Sequence, residues 1–528
     1  MTEYLAAVDQ GTTGTRCILF DLRGRAAASA YREHSQIFPQ PGWVEHDPSE
    51  IWAGTQEVIA EAVRAAPRGR ILAVGVTNQR ETVVAWDART GRPAHNAIVW
   101  QDTRTEPDCR ALIEAGLEEE IRARTGLPVS TYFSATKIRW LLENVPEVRS
   151  LAAGGHLRLG TVDTWVIWNL TGGPNGGAHV TDPTNASRTM LCNLADLDWD
   201  AALLERFGVP ASALPAIRPS APAEPYGHTR RDGPFGEAIP VCGDLGDQQA
   251  ALVGQACFAP GEAKNTYGTG SFLLQHVGGS PVLSTRGLLG TAAYVFGLGG
   301  AQPGHSQLGH EAGAPGTGGA GADSMGVRAY ALEGSVAITG AAVQWLRDNL
   351  GLISSASETE AIAQQVPDAG GIYFVPAFSG LFAPYWDMRA RGVIVGLTRF
   401  VTRAHLVRAT LEAICFQSRE VLDAMTADSG RAASVLKVDG GATGNDFLMQ
   451  LQADILGVPV VRPAVRETTA LGAAYAAGLS AGAFASADEL RRLWRADRTF
   501  DPQWDAGRRE EALRGWRRAV ERTRGWVE

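Results

Sequence analysis

Two stretches about half the chain apart share one pattern. Residues 6–16, AAVDQGTTGTR, and residues 261–275, GEAKNTYGTGSFLLQ, each run from an apolar strand through a glycine and hydroxyl turn into a second strand. A turn with so little side-chain bulk lets backbone N–H groups and hydroxyls approach an anion closely. Its repetition predicts two similar units facing each other across a cleft. A third stretch, VLKVDGGATGNDFLMQLQADILG (residues 435–457), leads a strand through Asp439, Gly440 and Gly441 into a helix. That geometry leaves free N–H groups for a phosphate. Three such elements in one chain make a nucleotide-binding constellation.

At 528 residues, the chain is long enough for at least two domains, with roughly 100 to 200 residues in each. Apolar runs such as ILAVGV and AIVW alternate with amphipathic stretches. The reading is an α/β chain with mostly buried sheets. Its net charge of -9 is spread over interleaved acids and bases, which argues against a nucleic-acid or anionic-membrane partner. Six scattered cysteines show no Cys-x-x-Cys spacing, so neither a zinc site nor a disulfide framework is expected. The most membrane-like segment, ALGAAYAAGLSAGAFA from Ala470, is shorter than the roughly 20 residues a spanning helix needs. No membrane insertion and a cytoplasmic location follow as expectations. Residues 297–326 hold 11 glycines and no period, and are read as a flexible insert. His305, His310 and Glu311 stand in it, but ordering such a segment around a metal is costly.

The motifs resemble the FGGY carbohydrate kinases from Tyr4 to about Phe500. YFSATKIRWLLEN (residues 132–144) and GVIVGLTRFVTRAHLVRATLEA (residues 392–413) are similar to the two signatures of that family. NQRETVVAW, AIVWQDTRT, GDQQAAL, KNTYGTGSF, AFSGLFAPYWD and DGGATGNDF look like the members that act on glycerol. Related sugar kinases usually have a Gly-Gln-Met-His-Gly-like stretch where this chain has Asn78-Gln79-Arg80-Glu81-Thr82.

The resemblance implies a two-domain actin-like ATPase fold of the ribonuclease H-like type, with an ATP cleft between residues 1–254 and 255–528. It implies ATP-dependent phosphorylation of glycerol to sn-glycerol 3-phosphate, with Mg²⁺ as cofactor and a homo-oligomer, dimer or tetramer, as the assembly. Asp247 would be the general base. Arg80, Glu81, Tyr132, Asp247 and Gln248 would serve the polyol, with Trp100 and Phe272 as the apolar wall. Adjacent opposite charges at Arg80 and Glu81 offer one diol both a donor fork and an acceptor. Thr12, Thr13, Gly14 and Arg16 would meet the phosphates, and Thr269, Gly340, Gln344, Gly441 and Asn445 the rest of the nucleotide. Asp9 would hold Mg²⁺ through its water shell, as suits a hard cation that keeps much of its water. The alanine-rich helix from about Ala470 would pack behind the nucleotide.

The chain departs from the family pattern at Gly14, where serine is common, and at Asp244, a carboxylate three residues before the expected base. Were the two close, Asp244 would raise the pKa of Asp247 by like-charge repulsion. Gly233 stands where some relatives carry a phosphorylatable histidine, and the loop through which others bind fructose 1,6-bisphosphate is not recognisable. Control by either route is not expected. Two rival readings are a kinase for another polyol or a ketose, and a non-transferring actin-like ATPase; NQRET and GDQQAAL argue against the second.

Overall fold

The computed structural model describes residues 2–297 and 326–527, so the insert expected at 297–326 lies, but for its end glycines, outside the described residues. The first apolar run forms β1 (Thr2–Gln10), which turns back as antiparallel β2 (Gly14–Asp21) and then β3 (Ala26–Glu33). On its other side β1 runs parallel to β4 (Gly69–Asn78), which runs parallel to β5 (Pro240–Gly246). An edge strand, Gly227–His228, completes a six-stranded sheet. Consecutive residues Tyr4 to Val8 are all buried, as a strand covered on both faces requires.

The second sheet repeats this plan. Strands β6 (Ala263–Tyr267) and β7 (Ser271–Gly278) form the hairpin read from residues 261–275. Strands β8 (Leu289–Phe296) and β9 (Val327–Val336) extend one side, and β10 (Leu436–Gly440), β11 (Val460–Pro463) and β12 (Ala496–Phe500) the other. Strand β6 is parallel to β10 as β1 is to β4, and β9 is antiparallel to β7 as β3 is to β2. The sequence repeat is therefore a repeat of topology.

Helices cover and join the sheets. Helix α1 (Pro48–Ala65) starts at Asp47, whose carboxylate accepts from Ser49 N, with proline in the first turn where its missing N–H is harmless. The site uses α2 (Asp247–Gly254), α3 (Gly340–Asp348) and α5 (Asp446–Leu456), with α4 (Arg403–Ser429) between the last two. The helix expected behind the nucleotide, α6 (Thr468–Ser480), packs along β1, β4 and β5 and against α2. Its first residue, Thr468, donates to Asp439 Oδ2 at 2.8 Å. A Cβ on Gly472 would stand 1.8 Å from the Ala250 carbonyl oxygen, so α6 and α2 cross this closely only through glycine. Leu5, Phe20, Leu252, Leu274, Phe296 and Tyr475 share one apolar cluster, which knits the two sheets together. No helix among the described residues is long and apolar enough to cross a membrane. All six cysteines are buried and unpaired.

Candidate active site

The first turn leaves β1 at Asp9 and is closed by Gly11 N donating to Gly14 O at 2.9 Å. Behind it stands a chain of buried amides and imidazoles. Gln79 Nε2 donates to Gln10 Oε1 at 3.0 Å, His46 Nε2 meets Gln36 Oε1 at 2.9 Å, and Gln36 Nε2 donates to Thr12 O at 2.9 Å. Burial, and next the neighbouring His34, hold His46 down at about 3, so it works as a neutral partner. Trp100 Nε1 donates to Thr12 Oγ1 at 2.9 Å, while Thr13 is exposed. Gly14 has a steric reason: a Cβ there would lie 2.4 Å from Arg32 O and 2.7 Å from Tyr31 Oη. Arg16, expected to supply charge to phosphates, forms an ion pair with Glu467 at the start of α6 and lies over the Tyr31 ring.

The Asp9 carboxylate accepts no hydrogen bond among the described residues. Burial, and next the charge of Asp247, push its pKa up to about 7. Two neighbouring carboxylates, one without a hydrogen-bond partner, form a hard-oxygen donor set that suits Mg²⁺. Asp247 itself opens α2 at the end of β5, with its side chain about a third exposed. It accepts from Gln248 N at 2.7 Å and Gln248 Nε2 at 3.1 Å, and Arg80 Nε stands 3.0 Å from its Oδ1. These contacts fix the carboxylate and leave part of it exposed.

Arg80 and Glu81 leave β4 as a buried pair, each 2% exposed, with Arg80 Nε 3.8 Å from Glu81 Oε1. Trp100 and Tyr132 stand edge to face with ring centroids 5.3 Å apart. Half-buried Phe272 enters from β7, and its carbonyl accepts from Lys264 Nζ at 3.2 Å. Residues from both halves of the chain thus meet: Lys264 links Phe272 to Gln248 beside Asp247, and Arg188 lies over the Tyr132 ring at 5.7 Å.

On the opposite side, the second turn is tied to α3. Thr339 N and Ala341 N both donate to Thr269 O at 3.0 Å, and Gly340 N donates to Gly268 O at 3.2 Å. A Cβ on Gly340 would stand 2.5 Å from Gly268 O, so helix and turn touch only through glycine. Gln344 is exposed on α3. Gly441 and Gly444 border open space, where a flat ligand can lie against the backbone. Asn445 is partly committed elsewhere: its Oδ1 accepts from Leu448 N at 2.9 Å, capping α5, and its Nδ2 donates to Thr359 Oγ1 at 3.1 Å.

Sequence reasoning missed three charged residues here. Arg188 Nε donates to Glu81 Oε1 at 2.8 Å, and wholly buried Glu333 pairs with both Arg80 and Arg188. Lys264 Nζ donates to Gln248 Oε1 at 2.5 Å and Thr266 Oγ1 at 2.9 Å. A lone carboxylate inside the apolar strand YALEGSV was the signal for Glu333. Arg188 gives no comparable signal. Asp244 does not serve as a neighbour of the base: it is buried beside Asp163 and Asp182, and Asn185 Nδ2 donates to its Oδ1 at 3.4 Å. Burial, and then those two carboxylates, raise its pKa well above the usual range.

The same arrangement of units is found in known proteins. The N-terminal domain of the FGGY family of carbohydrate kinases matches residues 4–254, and its C-terminal domain residues 263–481. A glycerol kinase of Mycobacterium tuberculosis is 56% identical over 530 residues, covering 100% of this chain and 97% of the relative. That of Saccharopolyspora erythraea is 56% identical with both chains covered in full, 100% each. The crystal structure of Plasmodium falciparum glycerol kinase with ADP superposes with a TM-score of 0.88 at 37% identity, covering 99% of this chain and 98% of that one. With both halves matched in order and whole-length relatives above half identity, the chain belongs to the FGGY family of carbohydrate kinases.

Proposed function

We propose that this enzyme transfers the γ-phosphoryl group of ATP to a terminal hydroxyl of glycerol, giving sn-glycerol 3-phosphate and ADP. The observation that carries the reading is the convergence of Arg80, Glu81 and Asp247 with the aromatic wall of Trp100 and Tyr132. The whole-length glycerol kinase relatives support the same substrate.

In this reading Arg80 donates to glycerol hydroxyls while Glu81 and Asp247 accept from them. Asp247, fixed by Gln248 and Arg80, holds the attacking hydroxyl and takes its proton as the new O–P bond forms and the bond to the ADP oxygen breaks. The transition state is loose, with charge concentrated on the transferring group, so positioning and charge stabilisation carry most of the catalysis. The backbone turns at residues 11–14 and 268–270 supply N–H groups to the phosphates, and Gly441 gives the rest of the nucleotide room to lie. Mg²⁺, when bound at Asp9, supplies charge neutralisation on the phosphates. We place the division between the two units after Gly254, at the end of α2, with the oligomeric assembly and cytoplasmic location of the family.

The test is glycerol-dependent ADP release measured against a panel of polyols and ketoses, xylulose included. Preference for glycerol supports the reading. Faster turnover of another member replaces the substrate, and ATP hydrolysis indifferent to every polyol removes the transferase assignment.

A further inference from the structure

Arg80 does not stand alone beside the cleft. Its Nη1 and Nη2 both donate to the Glu333 carboxylate, Nη2 to Oε1 at 3.0 Å, so guanidinium and carboxylate meet at two points. The same Oε1 accepts from Arg188 Nη2 at 3.2 Å, and Arg188 Nε returns to Glu81 at 2.8 Å. Two arginines and two glutamates, each at most 2% exposed, close a ring of alternating charge. Glu333 belongs to β9 of the second sheet, whereas Arg80, Glu81 and Arg188 belong to the first half of the chain. Burial alone would push Glu333 up, but Arg188 and Arg80 outweigh it and hold it down at about 2. It is therefore a fixed negative charge at working pH.

We infer that Glu333 is a positioning residue for the polyol, locking Arg80 by its two-point contact so that Nε faces Asp247 and the cleft. This rests on the glycerol reading above and extends it: the second unit takes part in polyol recognition through a residue that does not touch the polyol. Two-point arginine–carboxylate pairing fixes orientation as well as distance, which a single contact does not. Without Glu333, Arg80 keeps its partners at Glu81 and Asp247 and its Nη1 bond to Gln249 Oε1 at 3.3 Å, but loses the two-point contact that sets its plane. Misplacing a binding group by about 1 Å can cost about 10²-fold, a loss felt here in the grip on glycerol.

The experiment is steady-state kinetics of full-length Glu333→Gln and Glu333→Asp beside the unaltered enzyme, with melting temperatures. For Glu333→Gln the expected result is a KM for glycerol raised about 10- to 100-fold, a KM for ATP within about twofold, and a reduced preference for glycerol over 1,2-propanediol. Glu333→Asp keeps the charge and withdraws it by one methylene, so its KM for glycerol should rise less, with the preference partly restored. A lowered melting temperature with an unchanged KM for glycerol in either variant overturns the inference. Should Glu333→Gln fail to fold, the KM of Glu333→Asp decides alone. Failure of the glycerol reading is separable, because it shows in the unaltered enzyme as turnover of a different polyol, and the two variants are then read on that polyol.

Discussion

Trp100 Nε1 donates to Thr12 Oγ1 at 2.9 Å, so the aromatic wall proposed for the polyol and the turn proposed for the phosphates are tied by one hydrogen bond. The tie spans two substrates: whatever fixes the indole also fixes the turn. Trp100→Phe keeps an aromatic face and removes only the donor. With a net worth of about 1 kcal/mol for such a bond, kcat/KM for both glycerol and ATP should fall about fivefold. Unchanged values for both substrates would show that the turn needs no support from the wall.

Substrate selectivity should depend on Arg80. A site whose buried groups pair with each hydroxyl leaves some unpaired when one hydroxyl is missing, and such sites reject the poorer analogue by factors on the order of 10⁴. Glycerol should therefore exceed 1,2-propanediol strongly in kcat/KM, and Arg80→Ala should erode that preference. Comparable values for the two alcohols in the unaltered enzyme would mean that the pocket is misassigned.

The buried Lys264 gives a pH signature. Burial lowers its pKa from 10.5 to about 8, opposed by the charges of Asp439, Glu333 and Asp247 and reinforced by that of Arg80. Between pH 8 and 10.5 the unfolded chain holds a proton that the native state has released. Stability contributed by this group therefore rises with pH across that window, by at most about 1.4 kcal/mol per pH unit, and below it the full cost of the buried ammonium remains. The stability of the unaltered protein relative to Lys264→Met should grow from pH 8 to pH 10 in denaturant titrations. Parallel pH profiles would contradict the depressed value.

The parts legible in the sequence were those written locally. The hairpins at residues 6–16 and 261–275 could be read because turn chemistry and apolar runs are adjacent in the chain, and β1–β2 and β6–β7 form as expected. Arg80 and Glu81 share one motif and Asp247 stands in another, and the fold brings them together. What sequence could not give were partnerships across the fold. Arg16 meets Glu467, and Arg80 meets Glu333, through the docking of two sheets that no local pattern encodes. The seat of helix α6 is illegible for the same reason: its all-round small-residue surface fits any tight interface, and the close approaches at Gly75 and Gly243 on β4 and β5 and of Gly472 to Ala250 on α2 select this one. Asp244 lies on β5 three positions before Asp247, yet strand alternation turns it to Asn185 and away from the cleft.

The two cleft aspartates should fail in different ways. Asp9→Asn should raise the Mg²⁺ concentration needed for half-maximal rate and weaken productive ATP binding, while Asp247→Asn should leave the Mg²⁺ requirement near that of the unaltered enzyme. A common response of both variants to Mg²⁺ would merge the two roles.

The central claim is that Asp247 accepts the proton of the attacking hydroxyl. Its most direct test is kcat for Asp247→Asn at saturating glycerol and MgATP, with nucleotide binding and melting temperature measured on the same preparation. Loss of a general base lowers the rate typically about 10²- to 10⁴-fold, so a fall in that range with nucleotide binding and fold intact is the predicted result. Were Asp247 only a helix-start residue, the variant would lose about 1 kcal/mol of stability and turn over at nearly the normal rate. That outcome would contradict the account.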